Sequence, residues 1–141
     1  MKAISRKVLS FENEMRTALE QKSKLRVLIA DDSAAIRETL RRACKVFPRL
    51  EVIGHASDGA VALKVIREFK PDVTILDIHM PKMSGIEVLE AVKREGLECI
   101  VLVFTGASEE VYREKCLALG AGYFYDKATD FDKFLATLGT L

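Results

Sequence analysis

The stretch VTILDIHMPKMSG, residues 73–85, decides how this chain folds and where its chemistry lies. Its first four residues have the length and composition of a buried strand. Asp77 follows that run directly, and a loop with Pro81 and Gly85 follows Asp77. Open α/β sheets bind their ligands at the carboxyl ends of the strands. The stretch therefore predicts a buried strand with a functional carboxylate at its carboxyl end.

Other apolar runs along the chain also end in polar residues. Because the carboxyl ends of parallel strands meet at one edge of a sheet, we expect these residues to converge with Asp77 on one crevice. Three carboxylates, a hydroxyl and an ammonium group suit the binding of a divalent cation and a phosphoryl group. The residues are Asp31 and Asp32 after residues 25–30, Thr105 after residues 100–104, and Lys127 after residues 123–126.

Helical patterns separate the apolar runs from Leu25 onward. In the fourth of these helices the pattern predicts that Val111, Cys116 and Leu117 face inward. Five strand–helix units with nearly continuous apolar strands predict an α/β fold with a parallel sheet covered on both faces. The predicted strands span about residues 25–31, 50–56, 73–77, 100–105 and 123–126.

The composition is that of an ordinary globular domain, with 49% hydrophobic and 30% charged residues. A net charge of +1 gives no reason to expect nucleic acid or an anionic membrane as a partner. No apolar stretch approaches the roughly 20 residues that span a bilayer. Cys44, Cys99 and Cys116 are widely spaced, which predicts reduced thiols and a cytoplasmic protein. The sequence stops right after the fifth predicted helix, so we expect no second domain.

From about Leu25 to Leu141 the chain resembles the receiver domain of bacterial two-component response regulators. The resemblance rests on the acidic pair after the first strand, the D-x-x-M-P-x-M-x-G pattern that begins at Asp77, the hydroxyl at Thr105 and the lysine at Lys127. It implies a flavodoxin-like, doubly wound sheet of five parallel strands in the order 2-1-3-4-5. It divides the chain into an extension, residues 1–24, and a receiver domain, residues 25–141.

The resemblance implies that Asp77 accepts a phosphoryl group from a phosphohistidine, with Mg²⁺ as cofactor. Its implied metal ligands are Asp32, Asp77 and the backbone carbonyl of His79, with Asp31 acting through water. Mg²⁺ prefers oxygen ligands and keeps several waters, which suits an open acidic site. Two adjacent acids beside a third repel one another unless a cation is bound. For that reason we favour a metal site over the alternative that Asp32 and Ser33 merely cap the first helix.

Lys127, Thr105 and Phe124 have implied roles around the phosphoryl group. Lys127 pairs with one phosphoryl oxygen as a point charge, and Thr105 donates a hydrogen bond to another. Thr105 and the aromatic Phe124 then form the switch. The chain departs from the family pattern in having Ala128, where proline with a cis bond is common, and Phe124, where tyrosine is common.

The expected function is that of a single-domain response regulator, with no enzymatic activity beyond autocatalytic phosphorylation and slow autodephosphorylation. Its expected partners are a sensor histidine kinase or a histidine phosphotransfer domain, and a downstream protein bound by the fourth helix, fifth strand and fifth helix. A phosphorylation-dependent dimer is a further option, whereas DNA and membrane are not expected partners.

Three alternatives stay open. The domain is a relay intermediate or phosphate sink, or it is the receiver fragment of a longer transcriptional regulator. An aspartate-dependent phosphatase of another α/β family ranks last, because such enzymes carry D-x-D on the first strand and Asp31-Asp32 lacks that spacing.

Residues 1–24 have an apolar stripe at helical spacing, formed by Ile4, Val8, Phe11, Met15 and Ala18. The stripe is compatible with an amphipathic helix that docks on the domain, pairs with a second copy or meets a partner. A loosely attached extension is an equal alternative.

Overall fold

Strands and helices alternate along the chain from Leu25 to Thr140 in a computed structural model, which describes residues 13–14 and 23–141. The apolar stripe predicted within residues 1–24 lies outside the described residues. The elements are β1 Leu25–Ala30, α1 Ala34–Lys45, β2 Leu50–Ala56, α2 Gly59–Phe69, β3 Val73–Leu76, α3 Gly85–Arg94, β4 Ile100–Thr105, α4 Glu110–Ala118, β5 Tyr123–Asp126 and α5 Phe131–Thr140.

The five strands form one parallel sheet in the order β2-β1-β3-β4-β5, which confirms the predicted fold and strand order. β1 pairs with β2 on one side and with β3 on the other. The winding of the chain therefore reverses between β1 and β3. A crevice opens at such a reversal, outside the carboxyl ends of the two strands.

The edge strand β2 contains a bulge. Val27 of β1 pairs with Val52, but the next residue, Leu28, pairs with Gly54. Ile53 is thus an extra residue in β2, and among the described strands β2 pairs with β1 alone. A bulge of this kind bends its strand and increases the local twist.

A hydrophobic core covers each face of the sheet. Leu28 packs on the face of α2, α3 and α4, whereas its neighbours Val27 and Ile29 pack on the face of α1 and α5. On that second face the rings of Phe104 and Phe134 stack with their centroids 4.7 Å apart. Burial on both faces explains why the strands read as almost continuous apolar runs.

Three helices begin at a side chain that caps their first turn. Ser33 and Asp58 lie within three residues of the ends of β1 and β2, so α1 and α2 start close to the carboxyl edge of the sheet, whereas Ser84 ends the longer loop that follows β3. The cap of α1 is Ser33 and not Asp32, so capping does not account for the second acid of the pair. The cap bonds are Ser33 Oγ to Ile36 N (3.2 Å), Asp58 Oδ1 to Val61 N (2.8 Å) and Ser84 Oγ to Glu87 N (3.2 Å).

The predicted inward face of α4 is wrong in two of its three residues. Cys116 is buried, but Val111 is 67% exposed and Leu117 is 39% exposed. At about 100° per residue, Val111 lies about 140° around the helix from Cys116 and Leu117 about 100°. One narrow buried face cannot hold all three.

Two negative findings concern the described residues. None of their helices is both long enough and apolar enough to cross a bilayer. None of their peptide bonds is cis, so Ala128 follows Lys127 through a trans bond.

Candidate functional site

Three carboxylates meet in the crevice between β1 and β3, and we call them the acidic cup: Asp31, Asp32 and Asp77. Each offers an oxygen, and these oxygens lie within 4.8 Å of one another. Asp31 and Asp77 are buried, whereas Asp32 is exposed at the rim. The cup is thus open to solvent on one side and closed by the sheet on the other.

Backbone amides fix the two buried carboxylates. Oδ1 of Asp31 accepts a hydrogen bond from the amide of Ser33 at 2.9 Å. Oδ1 of Asp77 accepts one from the amide of Ile78 at 2.8 Å. Each carboxylate therefore has one oxygen held by the chain that follows it and a second oxygen, Oδ2, turned toward the crevice.

Lys127 joins those two oxygens. Its Nζ lies 2.6 Å from Asp31 Oδ2 and 2.9 Å from Asp77 Oδ2, and only 21% of its side chain is exposed. Its backbone amide donates to the carbonyl of Thr105 at 3.0 Å, which ties the β5–α5 turn to the end of β4. One ammonium group thus compensates two buried carboxylates.

Burial and pairing shift the pKa values in the cup. Burial raises the pKa of Asp31 above its ordinary value, although the hydrogen bonds from Lys127 and Ser33 oppose the shift. Burial alone would lower the pKa of Lys127, but its contacts with Asp31 and Asp77 outweigh that effect and raise it. The ammonium form of Lys127 is therefore favoured, whereas burial makes the ionised form of Asp31 less favourable than it is in water.

The acidic cup has the chemistry of a Mg²⁺ site. Its donors are carboxylate oxygens, the exposed Asp32 leaves room for water, and hard divalent cations prefer such a set. Asp31 Oδ2 is buried, and the group that faces it is a cation, the Lys127 ammonium at 2.6 Å. An ionised oxygen of this kind is suited to a cation. The carbonyl of His79 as a further ligand remains a prediction.

The two predicted switch residues lie on neighbouring strands beside the cup. Thr105 is fully buried at the end of β4, and its hydroxyl accepts a hydrogen bond from the amide of Ala107 at 3.2 Å. Phe124 is buried in β5. The guanidinium carbon of Arg113 in α4 lies 5.9 Å from the centre of the Phe124 ring, and Arg113 Nη1 donates to the Phe124 carbonyl at 3.3 Å.

The side chain of His79 lies at the surface of the domain, against α4. His79 is exposed, and its ring meets that of Tyr112 edge-on, with the ring centres 5.9 Å apart. Sequence reasoning missed both Tyr112 and Arg113, the two α4 residues that reach the site. The only signal in the sequence was that the two residues are adjacent on one helical turn. Their contacts, with His79 and with Phe124 of the next strand, follow from no local pattern.

Comparison with known proteins fits this geometry: a doubly wound α/β domain with a lysine-bridged acidic cup at the reversal of its sheet. The model of the response regulator receiver domain matches residues 27–139. The chain belongs to that family, as the resemblance in its sequence indicated.

Similar proteins include both longer chains and isolated domains. A protein-glutamate methylesterase/protein-glutamine glutaminase of Koribacter versatilis is 41% identical over 106 residues, which are 73% of this chain but 29% of that protein. The chain thus spans less than a third of that relative. The receiver domain of the response regulator NarL from Mycobacterium tuberculosis is 34% identical with a TM-score of 0.76, covering 82% of this chain and 94% of that one. A CheX–CheY–BeF3–Mg²⁺ complex from Borrelia burgdorferi contains a chain 30% identical with a TM-score of 0.73, covering 82% of this chain and 87% of that one.

Proposed function

We propose that this chain is a single-domain response regulator, switched when Asp77 accepts a phosphoryl group from the phosphohistidine of a sensor histidine kinase or histidine phosphotransfer domain. The observation that carries the proposal is the bridge of Lys127 between Asp31 and Asp77. It brings two buried carboxylates and an ammonium group into one crevice, where Asp77 would supply the nucleophilic oxygen and Asp31 would help to bind the metal. Phosphoryl transfer needs little more than such positioning and charge.

Asp77 Oδ2 is the attacking atom in this proposal. Oδ1 is held by the amide of Ile78, whereas Oδ2 faces the crevice beside Lys127. As Oδ2 bonds to phosphorus, the phosphorus–nitrogen bond of the phosphohistidine breaks. Its electron pair returns to the imidazole nitrogen, which takes up a proton when the histidine leaves. Lys127 remains beside the product and pairs with a phosphoryl oxygen.

Mg²⁺ is the proposed cofactor. Asp31, Asp32 and Asp77 would hold it, with the His79 carbonyl as a further ligand and water in the remaining positions. When bound, it supplies positive charge against the phosphoryl oxygens. The BeF3–Mg²⁺ complex of the Borrelia burgdorferi protein supports this part of the proposal.

The switch in this proposal passes through Thr105 and Phe124. The Thr105 hydroxyl exchanges its contact with the Ala107 amide for a hydrogen bond donated to a phosphoryl oxygen. The movement of Thr105 changes the space beside Phe124, on whose ring Arg113 of α4 lies. The surface of α4, β5 and α5 then changes its affinity for a downstream protein, by as much as that protein distinguishes the two states.

Exposed apolar side chains support that surface as a site of contact. Val111 and Leu117 of α4 and Tyr123 of β5 are among the large apolar residues left exposed in the described part of the chain. A downstream protein, or a second phosphorylated copy, would cover them. We expect no DNA and no membrane at this surface, and three unpaired cysteines support a cytoplasmic location.

Two alternatives use the same cup. In one, the domain is a relay intermediate or phosphate sink, for which a short-lived acyl phosphate would be the signature. In the other, it acts as the receiver part of a longer regulator. The length of the methylesterase relative favours considering the latter, since the matched segment is 29% of that protein.

Intact mass spectrometry tests the proposal directly. The protein is incubated with acetyl phosphate or phosphoramidate, with and without Mg²⁺, and the adduct is followed after removal of the donor. We expect one added phosphoryl group that requires Mg²⁺, and none in Asp77→Asn. The control Asp132→Asn removes an exposed carboxylate of α5 and should label normally. Unchanged labelling of Asp77→Asn would overturn the assignment, whereas slow decay in the wild type favours a signalling switch over a sink.

A further inference from the structure

The loop between β3 and α3, residues 77–84, touches a part of the fold outside the acidic cup. Its far end lies against the first turn of α2. Gly59 is so close to Met83 that a Cβ atom at position 59 would lie 1.8 Å from the Met83 carbonyl oxygen. The amide of Gly59 also donates to the carbonyl of Pro81 at 3.4 Å. Only glycine permits this approach without moving the loop.

The near end of the same loop is closed just as tightly. A Cβ atom on Gly85 would lie 2.1 Å from the carbonyl oxygen of Asp77. The amide of Gly85 donates to the carbonyl of Ile78 at 2.7 Å. The loop is therefore held at both ends, by its own closure at Gly85 and by α2 at Gly59.

Asp58 adds a polar contact to the far end. This buried residue uses Oδ1 to cap α2, and its Oδ2 lies 3.7 Å from Nζ of Lys82 at the tip of the loop. Lys82 has a φ of 67°, a left-handed conformation that is uncommon for a residue with a side chain. The loop keeps this conformation where it meets the first turn of α2.

The loop orients the carboxylate that reacts. The amide of Ile78 holds Asp77 Oδ1, and this bond directs Oδ2 to Lys127. A shift of the loop would therefore rotate the Asp77 carboxylate or break its bond to Ile78. A displacement at Met83 reaches Asp77 through only a few residues of tightly closed backbone.

We propose that Asp58 and Gly59 are positioning residues of the phosphoryl-transfer site, because the first turn of α2 holds the β3–α3 loop in the conformation that aims Asp77 into the crevice. The proposal rests on the function proposed above for Asp77. The contacts of Asp58 and Gly59 given above are with α2 and the loop, so both would act on the acidic cup through the loop. α2 thereby becomes part of the site although it supplies no ligand.

The central test compares Gly59→Ala with Gly54→Ala. A Cβ atom at Gly54 in β2 meets nothing within 4 Å, so this control makes the same chemical change without a clash. Three quantities are measured at a temperature where both variants are folded: Mg²⁺ affinity by calorimetry, the phosphorylation rate constant with acetyl phosphate, and amide hydrogen exchange of residues 78–85. For Gly59→Ala we expect at least tenfold weaker Mg²⁺ binding, at least tenfold slower phosphorylation and faster exchange in the loop. Gly54→Ala should match the wild type in all three.

A second pair of variants covers the case in which Gly59→Ala does not fold. Asp58→Asn keeps an oxygen that can cap α2, whereas Asp58→Ala removes both the cap and the contact with Lys82. We expect Asp58→Ala to weaken Mg²⁺ binding severalfold and to speed loop exchange, with Asp58→Asn close to the wild type. Equal loop exchange in Asp58→Ala and the wild type would overturn the proposal.

The outcomes separate this inference from the proposed function. If the wild type takes up no phosphoryl group, the proposed function fails, while Mg²⁺ affinity and loop exchange still report on the role of α2. If the wild type is phosphorylated and Gly59→Ala behaves like Gly54→Ala, the positioning role fails and the proposed function stands.

Discussion

Two ion pairs in this protein have the same length and opposite electrostatic consequences. Lys127 Nζ lies 2.6 Å from Asp31 Oδ2 in the acidic cup, and Arg41 Nη2 lies 2.6 Å from Glu38 Oε1 on the surface of α1. Burial raises the pKa of Asp31, although it has a cationic partner. The hydrogen bonds from Arg41 lower the pKa of Glu38 to about 2. Access to water, and not the distance between the charges, decides whether the pKa of the carboxyl group is raised or lowered.

The comparison shows the electrostatic cost of burying carboxylates in the candidate site. Water around the α1 pair already solvates both charges, so the contact adds little. In the cup, two carboxylates have lost most of their water, and Lys127 is the group that compensates them. A metal ion or a phosphoryl group bound in the cup would therefore change the balance between two buried negative charges and one positive charge.

The largest expected effect comes from Lys127→Ala. Without Mg²⁺, the loss of the ammonium group leaves Asp31 and Asp77 buried and unpaired, and we expect the free energy of unfolding to fall by about 3 kcal/mol. Saturating Mg²⁺ should restore a larger share of stability to this variant than to the wild type, because the cation replaces the lost charge. Urea unfolding with and without Mg²⁺ measures both.

A matched control for that prediction is Lys133→Ala. The side chain of Lys133 is 77% exposed, and its Nζ lies 3.9 Å from Asp130. Its loss should leave stability nearly unchanged in either buffer. An equal fall in the two variants would mean that burial does not distinguish them.

Lys127→Ala should still accept a phosphoryl group on Asp77 but lose the change at the α4–β5–α5 surface.

Asp31→Asn should act in the opposite direction. Asparagine retains an oxygen for the amide of Ser33 but removes a charge that burial disfavours, while Lys127 keeps its contact with Asp77. We expect a gain of about 1 kcal/mol in the free energy of unfolding in Mg²⁺-free buffer, together with weaker Mg²⁺ binding. Thermal unfolding and calorimetry check the two signs. A loss of stability without Mg²⁺ would show that the pair with Lys127 outweighs the burial of its charge.

The ion pair of Arg41 and Glu38 on the surface of α1 should be detectable by pH titration. The pKa of Glu38 is about 2, below its ordinary value of 4.5, and Arg41→Ala should raise it toward that value. Because the folded-state pKa is depressed, any stability from this group is present above pH 4.5 and is lost as the pH falls toward 2. Carboxyl NMR titration at low salt measures the shift, and added salt should reduce it. Arg42→Ala should have a smaller effect, since Arg42 is the more exposed partner and its contact is 3.1 Å.

The smallest effect is expected for the unfolding free energy of Arg41→Ala at physiological salt and neutral pH. Both side chains of this pair are well solvated, so the variant should unfold within experimental error of the wild type. A measurable loss would show that the contact contributes more than exposed ion pairs usually do.

The sheet was predictable from the sequence, and much of the contact pattern around the site was not. The strands at 50–56, 100–105 and 123–126 have the predicted bounds, because runs buried on both faces are visible in the chain itself. The inward placement of Val111 failed because the buried face of α4 is narrow. Nothing local shows that Lys127 joins both Asp31 and Asp77, since that depends on side-chain directions across three strands.

The same limit applies to α2. Asp58 caps α2, and aspartate is a residue type that favours this position at a helix start. The approach of Gly59 to Met83 joins residues 24 positions apart, so no periodicity or spacing could reveal it.

The bulge at Ile53 has a consequence for how this domain behaves at high concentration. An edge strand presents unpaired backbone donors and acceptors, and a flat edge is a template for another strand. The extra residue bends and twists β2, so a second copy cannot pair with it in a long continuous register. The domain exposes apolar side chains on α4 and β5, and at the opposite edge of its sheet it has a strand unsuited to continuous pairing with a second copy.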